Sequence, residues 1–222
     1  RASFLEANRG RELIEVVFGD RPFRPALDVD FPEGFDGGDV AQVARIFEGH
    51  ALAAGIPAEH AGPLVAWGAR PAWGGKAGKT SAHIVARWQA PTPDTARAFL
   101  EGVAGCCPER LRAGNQLDVA ATTKRKSFGL RLPWVPKLDK PGGQPIPGSG
   151  LEPTTHEFGA DLAPWCLQGG EAWPIYDRPG AEPPAALRVS GEDTEEIPPH
   201  EILATNPHPA PGPPPAHATP GG

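Results

Sequence analysis

The sequence predicts an α+β fold: a mixed, largely antiparallel sheet with flanking helices, followed by a disordered Pro-rich C-terminal tail. Three observations point to it. Short β-branched and apolar runs with strand-like patterning occur at residues 13–18, 26–31, 64–67 and 79–88. Two other stretches, 39–54 and 93–104, place apolar residues at helical spacing instead. From Arg178 onward, 12 of 45 residues are proline, a density that leaves too little apolar surface to repay chain ordering.

In chain order, residues 1–12 read as a helix end. Leu13 to Phe18 is a short strand closed by the turn Gly19-Asp20, and Arg21-Pro22-Phe23-Arg24-Pro25 leads into Ala26-Leu27-Asp28-Val29-Asp30-Phe31. Side chains alternate along a strand, so Asp28 and Asp30 share one face and Leu27, Val29 and Phe31 share the other. Pro32 to Gly38 is turn-rich, and Asp39 is the expected N-cap of a helix over 39–54 with Val40, Val43, Ala44, Phe47 and Ala51 inward. Leu64 to Trp67 is a strand, joined by glycine-rich residues 71–78 to a second one in which Lys79, Ser81 and His83 share a face. So close a connection makes the two antiparallel neighbours. The ending Gly78-Lys79-Thr80 is shared with phosphate-binding P-loops, but strand-like residues follow where a P-loop opens a helix.

A second helix starts at Pro93-Asp94 and buries Ala96, Phe99, Leu100 and Val103, with a loop over 105–114 after it. Residues 115–120 read as a strand carrying Asp118, and Phe128 to Pro133 as a buried strand with an inward Arg131. Trp165, Trp173, Ile175 and Tyr176 are placed to pack back on the domain. The organisation is therefore one domain over 1–177, with its motif-bearing core at about 20–140, and a tail over 178–222 holding six acids and two arginines. The chain starts at Arg1 without a Met, as a piece of a longer protein would.

A net charge of −6 excludes a protein coated in positive charge, yet Val119 to Gly150 carries Lys124, Arg125, Lys126, Arg131, Lys137 and Lys140 against Asp139 alone. A basic segment beside carboxylates in a net-acidic chain points to a polyanionic ligand. Cys106, Cys107 and Cys166 form no CxxC pair, which predicts small buried thiols and an intracellular, reducing compartment, cytoplasm or nucleus. Apolar runs are too short for a membrane span, and no membrane partner is expected. Three acids, Asp28, Asp30 and Asp118, suit two Mg²⁺ or Mn²⁺ ions, and Lys79, Ser81, His83 and Arg131 suit the phosphates such ions accompany.

The ordered set Leu27-Asp28-Val29-Asp30-Phe31, Lys79-Thr80-Ser81-Ala82-His83-Ile84-Val85 and Leu117-Asp118 resembles the motifs of the archaeo-eukaryotic primase superfamily, in its primase-polymerase and herpesvirus-type primase branch. Arg131-Leu132 and Lys137 or Lys140 match a following Arg-Leu pair and lysine. The resemblance implies an RRM-like primase catalytic core and template-directed nucleotidyl transfer on DNA. By it Asp28, Asp30 and Asp118 are metal ligands. Ser81 and His83 contact the incoming nucleoside triphosphate, assisted by Lys79, Arg131 and Lys137 or Lys140. DNA template and primer are the expected partners, with Lys124, Arg125 and Lys126 on nucleic acid and the tail recruiting a helicase or single-strand binding protein. In a viral setting the compartment is the host cell. No Cys/His zinc cluster follows the core, so primer extension is expected rather than de novo priming. Two rivals stand beside this: a DxD glycosyltransferase using a nucleotide sugar, which leaves the Lys/Ser/His row unused, and a catalytically inactive nucleic-acid-binding module of the same fold.

Overall fold

A computed structural model describes residues 14–124, 126–140, 143–154, 163–168 and 173–176. The expected helix end at 1–12, Leu13, Arg125 and the tail from 178 lie outside the described residues. The fold is α+β.

Its centre is a five-stranded sheet of β2 (Ala26–Pro32), β3 (Leu64–Arg70), β4 (Lys79–Val85), β5 (Leu117–Asp118) and β7 (Glu152–Pro153), in the order β5-β2-β4-β3-β7. Strands β1 (Ile14–Phe18) and β6 (Ser127–Arg131) form a separate two-stranded ribbon. All these pairings are antiparallel. The expected mixed character reduces to an isolated parallel bridge between Gln89 and Ile175.

β3 and β4 are joined as predicted, and the ladder continues to a bridge between Trp73 and Lys76. Gly74 and Gly75 turn there with φ of 58° and 77°, the left-handed pair that a two-residue hairpin turn demands. No helix follows Thr80, as the strand pattern required. β3 runs on to Arg70, three residues past its expected end, because its hydrogen-bonding partner in β4 continues to Lys79. β4 itself stops at Val85, short of Trp88.

Helix α1 (Gly37–Ala53) begins two residues earlier than expected. Asp36, not Asp39, is the N-cap: its Oδ1 accepts from Gly38 N, while Asp39 returns the bond to Asp36 N at 3.0 Å. Asp39 is thus the N3 half of a capping box. After the short α2 (Ala58–Ala61), helix α3 (Pro93–Cys106) starts from Thr92, whose hydroxyl accepts from Thr95 N, and buries the four predicted side chains. The expected loop over 105–114 contains one helical turn, α4 (Glu109–Arg112).

Helices α1 and α3 pack on each other, and α1 on β3 and β4, over the face bearing Val29, Phe31, Ala82 and Ile84. Phe99 is the hub, with Phe47 and Trp88 each meeting it edge-to-face at 4.9 Å. Cys106 and Cys107 are buried free thiols, and burial pushes the Cys107 thiol up to about 12. Trp165 is buried and Tyr176 packs on the core, whereas Ile175 is exposed. Among the described residues no helix is long and apolar enough to cross a membrane.

His50 sits in the α1–α3 interface against Phe99, with no hydrogen-bond partner on either ring nitrogen among the described residues. Burial lowers its pKa, so the fold holds it neutral. With a folded-state pKa below the unfolded value of about 6.5, its penalty is absent well above that pH and grows as pH falls through it. His50→Leu is therefore expected to match or exceed wild-type stability at pH 7.5 and to gain further on wild type at pH 5. Urea midpoints of both proteins across that range check this, and a pH-independent difference would contradict it.

Candidate active site

The second face of the sheet carries the polar row. Pairing register sets Asp28 opposite His83 and opposite Asp118, and Asp30 opposite Ser81. Residues directly opposite in an antiparallel pair point the same way. Three strands therefore bring Asp28, Asp30, Asp118, Ser81 and His83 to one side, with Lys79 at its end, while the helices cover the other.

Above this row lies an open cleft of about 460 Å³, within the usual size of small-molecule sites. The sheet forms its floor. Its walls are the β1–β6 ribbon and the segment from Ile146 to Leu151. Five cationic residues, Arg70, Lys76, Lys79, Arg131 and Lys137, line the cleft together with Asp28 and Asp30. Arg70, Lys76 and Ser149 were missed by sequence reasoning. For Arg70 a signal existed, since extending the β3–β4 hairpin sets it opposite Lys79.

Asp30 Oδ1 accepts from Lys79 Nζ at 2.7 Å and from Ser81 Oγ at 2.6 Å. Burial alone would raise its pKa, but these two bonds outweigh it and hold the carboxyl below its usual value. Asp28 behaves oppositely: burial, then the charge of Asp30, push its pKa up to about 6, with Asp118 adding to the rise and Lys79 and Arg131 opposing it. Asp118 lies beside Asp28 but does not line the cleft, and its Oδ1 accepts from Ala121 N at 2.8 Å, within a 3₁₀ turn over Ala120–Thr122. That turn explains why the expected strand 115–120 shrinks to Leu117–Asp118.

His83 is buried, 3.6 Å from Asp28 and hydrogen-bonded to the backbone of Arg131. Burial, reinforced by the Arg131 charge, lowers its pKa to about 3. It is a neutral imidazole and adds no positive charge to the row. Arg131 lies at the cleft, with Nη1 donating to the carbonyls of Val135 and Ser149. Lys137 lines the cleft, and its backbone N–H donates to Ser149 Oγ. Lys140 does not line it and stands exposed, its carbonyl accepting from Gly143 N. Lys124 and Lys126 are exposed outside the cleft.

Arg24, in the link that leads into β2, is fully buried. Its side chain donates to the carbonyls of Ala86, Pro164 and Cys166, and the guanidinium lies over the Trp173 ring at 4.4 Å.

Among the described residues no group of three or more His, Cys, Asp or Glu is arranged to hold a metal ion. The donor chemistry nonetheless fits a hard divalent cation, since Asp28 sits among like charges that raise its pKa and that a cation would offset. Asp28, Asp30 and Asp118 are the residues that would hold it. No protein-family model matches the chain, and no curated protein matches it.

Proposed function

We propose that the cleft is the centre of template-directed nucleotidyl transfer on DNA, as in a primase or primase-polymerase core. One observation carries this reading: the pairing register gathers the Asp-x-Asp, Lys-x-Ser-x-His and Leu-Asp motifs on one open sheet face under a cation-lined cleft. Two divalent ions held by Asp28, Asp30 and Asp118 would supply Lewis-acid stabilisation of charge developing at a transferring phosphorus. The protein's own groups do the rest. Lys79 and Ser81 keep Asp30 ionised, Arg131 is oriented by its two carbonyl partners, and Lys137 places charge for a triphosphate. His83 serves as a neutral hydrogen-bonding group that joins the acid row to β6.

A second reading, a nucleic-acid-binding module of this fold without turnover, is favoured by the engagement of Asp30 Oδ1 by both the Lys79 ammonium and the Ser81 hydroxyl, which competes with a metal ion for that oxygen. Both readings predict DNA binding. Nucleotide binding separates them. Calorimetric titration with dATP and Mg²⁺ or Mn²⁺ is expected to show metal-dependent binding, weakened about tenfold in Lys137→Ala by loss of one charge-assisted contact. Absence of nucleotide binding by folded protein with either metal would sink the enzymatic reading, and preference for a nucleotide sugar would favour the glycosyltransferase.

A further inference from the structure

We infer that the outward face of the β1–β6 ribbon binds single-stranded nucleic acid and leads it to the cleft, an inference that rests on the nucleotidyl-transfer reading for the strand's role as template. Register sets Ile14, Val16 and Phe18 on this face opposite Arg131, Gly129 and Ser127. Their three apolar side chains are 51%, 55% and 48% exposed, while Val17, Phe128 and Leu130 bury the ribbon's other face. A row of large apolar groups left in water marks an interaction surface. The Ile14 side chain lies over Gly129, where an added Cβ would stand 2.7 Å from Ile14 Cγ2, so the apolar stripe runs on across the glycine.

Charge identifies the occupant. The Arg21 guanidinium lies 5.9 Å from the Phe18 ring centroid, Lys126 adjoins the same end through its carbonyl bond to Gly19 N, and Lys124 is exposed nearby. Asp20 is the acid at that turn. At the other end Ile14, Gly129 and Arg131 also line the cleft, so the stripe and the cleft are continuous. An exposed aromatic ring, Phe18, for base stacking, with Val16 and Ile14 extending its apolar surface and cations beside it for the backbone, is the chemistry that holds single strands. A strand added edge-on by a protein partner is disfavoured. Gln168 hydrogen-bonds both backbone groups of Phe18, and the Glu15 carboxylate accepts from Leu167 N and Gln168 N, so the outer edge of β1 is covered there.

The test is fluorescence anisotropy of a labelled oligothymidylate with the full chain, in EDTA and without nucleotide, over a salt series. Val16→Ser/Phe18→Ser is expected to weaken binding by about tenfold or more at unchanged salt slope. Lys124→Ala/Lys126→Ala is expected to lower the slope by up to about 1.4, and Phe18→Trp to bind as tightly as wild type or tighter. Equal binding by the serine variant would overturn the inference while leaving nucleotide binding at the cleft untouched. Absence of single-strand binding by wild type would overturn it too. So would equal losses in Phe18→Trp and the serine variant, or a serine variant that changes oligomeric state but not DNA binding, which would make the stripe a self-interface.

Discussion

Asp28→Asn is expected to give a more stable and inactive protein. A carboxyl whose folded-state pKa lies at about 6, above its unfolded value of 3.8, favours the fold when protonated. Its stabilising proton is held at low pH and lost as pH rises through 6, so the ionised group opposes folding at neutral pH. Asp28 remains about one-third exposed, and solvent screening reduces the effect to roughly 1–2 kcal/mol. In chelated buffer at pH 8 the variant should melt roughly 3–6 °C above wild type, with the gap closing between pH 6 and 4. Mn²⁺ should raise the melting temperature of wild type and not of the variant. Loss of several kcal/mol of transition-state charge stabilisation should cut nucleotide addition by about 10³-fold. A variant less stable than wild type at pH 8 would contradict the electrostatic description of this row.

Arg24→Met is expected to be the most damaging substitution away from the cleft. The fully buried Arg24 donates to the carbonyl of Ala86, just past the end of β4, and to the carbonyls of Pro164 and Cys166, tying the 163–168 segment to the sheet. Methionine fills much of the volume but supplies no donor. Each orphaned buried carbonyl costs about 1–3 kcal/mol, so the total should reach roughly 3–5 kcal/mol and lower the melting temperature by about 10 °C. Arg24→Lys should recover only part, because an ammonium cannot reproduce the planar fork. Calorimetry on all three proteins reads this directly. A methionine variant within about 1 kcal/mol of wild type would show that Arg24 fills space and little more.

The parts legible in the sequence were those governed by local periodicity. Alternation alone set Asp28 with Asp30, and Lys79 with Ser81 and His83, and the short glycine-rich link set β3 against β4. Helix faces followed in the same way, down to Ala96, Phe99, Leu100 and Val103. What escaped was non-local or depended on a choice between like residues. Asp36 and Asp39 are both acids in a capping box, and composition cannot say which one caps. The pairing of β1 with β6 joins residues more than a hundred positions apart, and no periodicity announces it. The wall from Ile146 to Leu151 holds two glycines and a proline and shows no helical or strand periodicity, yet the carbonyl of Ser149 is one of those that Arg131 needs. The neutral state of His83 is likewise invisible in sequence, since it follows from burial beneath β6.

The central claim is tested most directly by extension of a labelled primer on a DNA template with Mg²⁺ or Mn²⁺, comparing wild type with Asp28→Ala/Asp30→Ala. The account predicts metal-dependent, template-directed addition by wild type and none by the double variant. No addition by folded wild-type protein with either metal, or undiminished addition by the double variant, would contradict it.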